Sequence, residues 1–172
     1  MKIAIFLHGT IIMHKNAARK VKQEIIQQVK DEEESVRDYF SYTPVGNAPE
    51  KLQEWAKQGA EIYYLSALTT SKRARGDEVV TEEMLKADKT VLDRYGFPEG
   101  EIYHRKDSEE YKEVINRIEP LPNILIEDDC ESIGADEMVY PSLQPELQTK
   151  IKSISVPEFG GIDHLPDKLE NL

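Results

Sequence analysis

The chain has 172 residues, the size of one ordinary domain, and is long enough to bury a core. Its 33 acidic and 22 basic residues leave a formal charge of −11, which argues against a general binder of nucleic acid or of anionic membrane, since both need surplus Lys and Arg. The single Cys130 excludes an internal disulfide framework and a Cys-rich zinc site; no apolar run approaches the roughly 20 residues of a membrane span, and the default expectation is a reducing, cytoplasmic setting.

The run from Lys2 to Leu7 is apolar and closes at His8, Gly9 and Thr10. Such a run suits a strand buried on both faces, and it is too short for a signal-peptide core. Residues 15–38 then read as a helix, with Ala18, Val21, Ile25 and Val29 at three- and four-residue steps. Asp31 to Glu34 read as its solvated face. Tyr42 to Asn47 form a loop, and Asn47 with Glu50 resembles a capping box before a helix that ends at Gly59. Ile62 to Leu65 read as the second strand, and Ser66 to Asp77, with Lys72, Arg73 and Arg75, as an exposed loop.

A third helix is expected from about Thr81, as its cap, to Tyr95. A short strand over Glu101 to His104 follows, then a helix capped by Ser108 with Tyr111, Val114, Ile115 and Ile118 on one face. Asn123 to Ile126 read as another buried strand, running into Glu127, Asp128 and Asp129. Beyond Gly134 the expectation is a short strand near Met138 to Tyr140, a helix near Pro145 to Lys150 and a strand near Ile151 to Val156. The tail from Pro157 reads as loop and carries His164.

Strands alternate with helices, so the economical architecture is an open, mainly parallel sheet with helices on both faces. In such folds ligands bind at the carboxyl ends of the strands, near the switch in strand order. The strand ends carry His8, Gly9 and Thr10; Ser66; His104, Arg105 and Lys106; and Glu127 to Asp129. Three adjacent carboxylates repel unless a cation, a proton or basic side chains offset them, and Mg²⁺ is a natural solution. The plainer reading is a solvated turn. Gly9 permits close backbone approach to an anion, and Thr10 and Ser66 supply hydroxyls. Ser66 in this position is also a routine helix cap, and His8 a satisfied structural histidine. Arg105 and Lys106 can neutralise anionic charge, Arg in bidentate fashion. Cys130 lacks a clear base partner and reads as an ordinary thiol. His14 could approach the region of His8, and His164 could fold over a site or cap the structure.

In order and spacing these pieces resemble the haloacid dehalogenase (HAD) superfamily of α/β hydrolases, over roughly residues 1–140. The stretch Phe6, Leu7, His8, Gly9, Thr10 matches its first motif, Asp-x-Asp-Gly-Thr. Ser66 matches the second, Arg105 or Lys106 the third, and Glu127, Asp128, Asp129 the acidic fourth. The resemblance implies a three-layer Rossmann-like fold in one domain over 1–172, with a small cap-type insertion at about 11–44. It also implies Mg²⁺ held by Asp128 and Asp129, with His8 or its carbonyl.

The departure lies in the first motif, where Phe6 and His8 occupy the two aspartate positions. Phenylalanine cannot be a nucleophile, so the resemblance excludes a phosphoaspartyl intermediate there. Two functions remain as expectations. One is a metal-assisted hydrolase of a small phosphorylated or anionic substrate. In it, His8 and Asp128 are catalytic, and Gly9, Thr10, Ser66, Arg105 and Lys106 hold the anion. The other is a non-catalytic relative that binds a phosphorylated small molecule or a protein partner. A receiver-like signalling domain is a weaker third, since its acidic pair would end the first strand.

Overall fold

The computed structural model describes residues 1–69, 82–106 and 109–172. Five strands form one parallel sheet: β1 (Lys2–Phe6), then, beyond an excursion, β4 (Glu61–Thr69), β5 (Gly100–Arg105), β6 (Ile124–Asp128) and β7 (Lys152–Val156). The excursion contains two short strands, β2 (Ile12–Met13) and β3 (Thr43–Pro44), which pair antiparallel. The sheet order is β5-β4-β1-β6-β7. Successive strands therefore run outward from β1 in one direction and then in the other. This is the Rossmann-like arrangement, and its switch point is the carboxyl end of β1 between β4 and β6.

The apolar sequence of β1 explains its central place. Ile3, Ala4 and Ile5 are fully buried because both sheet faces are covered. Ile3 and Ile5 join Leu52, Trp55 and Val91 on one face, under α3 (Ala48–Lys57) and α4 (Glu82–Tyr95). Ala4 joins Leu65, Val114, Ile115 and Leu125 on the other, under α5 (Tyr111–Arg117), with Leu143 ahead of α6 (Pro145–Gln148). The alternation along β1 follows the two-residue period of a strand. Among the described residues, no helix is long and apolar enough to cross a membrane.

Several local expectations are corrected. The helix over 15–38 is broken into α1 (Lys22–Lys30), α2 (Glu34–Arg37) and two single turns, Lys15–Ala17 and Tyr39–Ser41. Arg19 (φ 66°) and Glu32 (φ 51°) adopt left-handed backbone, which interrupts a right-handed helix. Asn47 does not cap α3 with its side chain; its backbone amide and side-chain amide donate to Asp163 in the tail. That contact holds the tail against the start of α3, and the Trp55 indole adds a bond to the Pro166 carbonyl (2.9 Å). His164 is exposed there.

The second strand runs on to Thr69, so Ser66 lies within β4 and caps no helix. The strand near Met138 to Tyr140 is replaced by single helical turns at Ala135–Glu137 and Tyr140–Ser142. The caps expected at Thr81 and Ser108, and the basic residues Lys72, Arg73 and Arg75, lie outside the described residues. At α5 the Glu110 amide instead donates to the Glu113 carboxylate (2.7 Å).

Candidate functional site

The carboxyl ends of β1, β4, β5 and β6 meet at the switch point, and they carry two separate polar groups. The first centres on Asp88, on the inner face of α4 and 1% exposed. His8 Nε2 lies 2.9 Å from its Oδ1, and Ser66 Oγ donates to its Oδ2 through a very short hydrogen bond. His104 Nε2 approaches the same Oδ2 at 3.4 Å without good alignment. The Ala67 amide donates to His8 Nδ1 (3.3 Å), so the proton bridging to Asp88 sits on Nε2. This aim of the Ala67 amide comes from an irregularity in β4, whose register against β5 shifts between Leu65 and Thr69. Burial alone would raise the Asp88 pKa. The opposing pull of His8, His104 and Ser66 prevails and holds it well below the ordinary carboxylate range.

The second group is acidic. Asp128, Asp129 and Glu158 each offer an oxygen within 4.8 Å of the others. Asp128 ends β6, and Glu158 follows β7 in the neighbouring strand. Thr10 Oγ1 donates to Asp128 Oδ2 (2.6 Å) and the Cys130 amide to its Oδ1 (2.9 Å). The Ser132 amide and hydroxyl donate to the two oxygens of Glu158, each at 2.6 Å. The Glu158 amide donates to Asp129 Oδ1 (3.0 Å), and Lys22 Nζ lies 3.4 Å from Asp129 Oδ2. Burial pushes the pKa of both Asp128 and Glu158 up despite these bonds.

Gly9 is what lets the backbone pass so close. Its φ is +83°, and an added Cβ would stand 3.1 Å from Asp128 Oδ2 and 3.3 Å from Glu158 Cγ.

Between the sheet edge and the excursion lies a cavity of about 440 Å³. His8, Gly9, Leu68 and Arg105 line it from the sheet, and Val29, Val36, Tyr39 and Tyr42 from the excursion. The Arg105 guanidinium lies 4.4 Å over the Tyr111 ring, which is also part of the wall.

The structure thus brings His8, Gly9 and Arg105 to one cavity and groups Asp128 with Asp129 beside Gly9. Other expected residues stand elsewhere. Ser66 and Thr10 are fully buried, with their hydroxyls donating to Asp88 and Asp128 rather than facing a ligand. Lys106 is exposed and does not line the cavity. His8 is not among the grouped carboxylates, because its two ring nitrogens engage Ala67 and Asp88. Glu127 is no part of the acidic mouth. It accepts from the Val139 (2.6 Å) and Tyr140 (2.9 Å) amides on the other side of β6. Cys130 adopts left-handed backbone (φ 50°), and burial pushes its thiol pKa up, so it is no ready nucleophile. His14 is buried and bonds Gln28 Oε1 (3.1 Å).

Sequence reasoning missed Asp88 and Glu158. Asp88 had a signal: it falls on the apolar stripe of Met84, Ala87, Val91 and Leu92, where a lone charge needs buried partners. Glu158 had none, since its role depends on how the tail turns after β7.

No protein-family model matches this chain, and no curated protein matches it.

Proposed function

We propose that this protein is a diverged HAD-like protein that binds a small phosphate-bearing anion at the strand ends and has lost the phosphoaspartate chemistry. The observation that carries the reading is the pairing of an Arg105-lined cavity at the switch point with an inert end of β1. The Phe6 ring packs edge-on against Tyr111, with centroids 5.0 Å apart, where the resemblance would require a nucleophile. His8, in the second aspartate position, is held by Asp88 and Ala67. Arg105 then supplies charge and a planar fork for a phosphate.

A divalent cation fits the donor chemistry of Asp128, Asp129 and Glu158. All the donors are hard oxygens, each of these oxygens keeps a lone pair beyond its one hydrogen bond or ion contact, and the raised Asp128 and Glu158 pKa values mark charge that a cation would offset. Such an ion would supply positive charge against a ligand phosphate. Thr10, Ser132 and the Cys130 amide would fix the carboxylates that hold it.

A metal-assisted hydrolase is the second reading, and the same three carboxylates beside Gly9 favour it. In that case His8 would carry the proton, which requires the ring to leave Ala67 or Asp88. Titration calorimetry with phenyl phosphate in Mg²⁺, with released phosphate assayed in the same sample, separates the two. Saturable binding without release supports the binder. Release that disappears in Asp128→Asn supports the hydrolase. Absence of binding by any phosphate-bearing probe overturns both.

A further inference from the structure

The walls of the strand-end cavity say more about the ligand than the Arg105 guanidinium does. Five rings stand along one side. His8 lies 5.7 Å from Tyr39 and 5.3 Å from Tyr42, and His14 lies 6.4 Å from Tyr42 and 6.3 Å from Phe159, centroid to centroid. All five line the cavity, as do Met13, Val29 and Leu68.

The polar atoms of this wall are largely spent within the protein. His8 uses both ring nitrogens on Asp88 and Ala67. His14 Nε2 faces Gln28, and the Tyr42 hydroxyl donates to the Val36 carbonyl (2.7 Å). Of the charged lining residues besides Arg105, Arg37 is paired with Glu32 and Glu158 is bonded to Ser132, while Glu137 is exposed at the rim. A ligand lying here meets alkyl groups and the half-buried rings of His8, Tyr39 and Phe159, which the buried His14 and Tyr42 back. A polyhydroxylated body such as a sugar would lose its hydrogen bonds to water and find few replacements. A planar ring loses little in leaving water and gains stacking or edge contacts.

From this we infer that the ligand is an aryl or heteroaryl phosphate, its ring on the Tyr39–Phe159 side and its anionic group toward Arg105. The inference rests on the anion-binding reading above and names the chemical class within it. The volume, about 440 Å³, lies in the lower part of the usual ~300–1,000 Å³ range for small-molecule sites, which suits one mononucleotide-sized molecule.

The test is titration calorimetry of the full chain in Mg²⁺ with four probes: phenyl phosphate, glucose 6-phosphate, phenol and choline. Phenyl phosphate should bind about tenfold more tightly than glucose 6-phosphate, the scale of one good ring contact. Phe159→Ala and Tyr39→Ala should each erase most of that preference by weakening phenyl phosphate far more than glucose 6-phosphate, and Tyr39→Phe should retain it. Equal affinity for the two phosphates overturns the aryl inference and leaves the anion reading standing. Phenol binding as tightly as phenyl phosphate overturns the anion reading. Choline binding in preference to both phosphates overturns the inference, because the rings would then be serving a cation. Binding by none of the phosphates overturns the reading on which the inference rests.

Discussion

Asp88 joins three strand ends to α4 through His8, Ser66 and His104. It is buried, so a substitution leaves donors that water cannot reach. Asp88→Asn should cost about 1–3 kcal/mol in urea unfolding, the usual cost of an unsatisfied buried group. An unchanged midpoint would show that the network is dispensable. Asp128 behaves in the opposite sense. Its folded pKa lies above the unfolded value near 3.8, so the folded form binds the proton more tightly. The stability this contributes is full below the unfolded value and is lost as pH rises through the folded one. Asn at 128 mimics the neutral form and can still bond Thr10 and Cys130. Without divalent cation, Asp128→Asn should therefore gain in Tm relative to wild type as pH rises from 4 towards 7. A difference that shrinks over that interval would contradict the burial argument. The sequence shows a row of three acids, but the alternation of side chains along a strand already separates Glu127 from Asp128. Only the packing of the residues after β7 reveals Glu158 as the third member.

The central sheet elements were legible because buried parallel strands write continuous apolar runs: β1 and β6 fall where those runs lie, while the edge strand β7 shows only the alternation of Ile154 and Val156 with polar residues. The segment between β2 and β3 was not. Its apolar spacing is helical, yet Arg19 and Glu32 break it into short pieces that turn Val29, Val36 and Tyr39 toward the cavity. Short helices with exposed backbone bonds open more readily than a central sheet. Amide exchange over α1 and α2 should therefore run well ahead of exchange in β1 and β6, and a bound ligand should slow the former and leave the latter unchanged. Ligand protection confined to α6 or to the tail beyond Phe159 would place the site elsewhere. The tail enters the cavity wall only at its start, through Glu158 and Phe159; its later part, anchored by Asp163 and Trp55 on the α3 side, does not line the cavity.

At the scale of the whole molecule, a charge of −11 repels anions, so an anionic ligand needs local positive charge to bind. Arg105 supplies one such charge at the switch point, and a cation on Asp128, Asp129 and Glu158 would supply another. The Rossmann-like order of the sheet brings these residues to one end of the molecule, while Phe6 against Tyr111 removes the covalent step that the resemblance would otherwise imply. The most direct test is calorimetric titration of phenyl phosphate into wild type and Arg105→Ala in Mg²⁺, with acid-quenched samples examined for protein-bound phosphate. The account predicts saturable binding at one site per chain, weakened about tenfold or more in the variant, the cost of losing a charge-assisted hydrogen bond, and no covalently bound phosphate. Identical titrations for wild type and variant, or a phosphorylated protein, would contradict it.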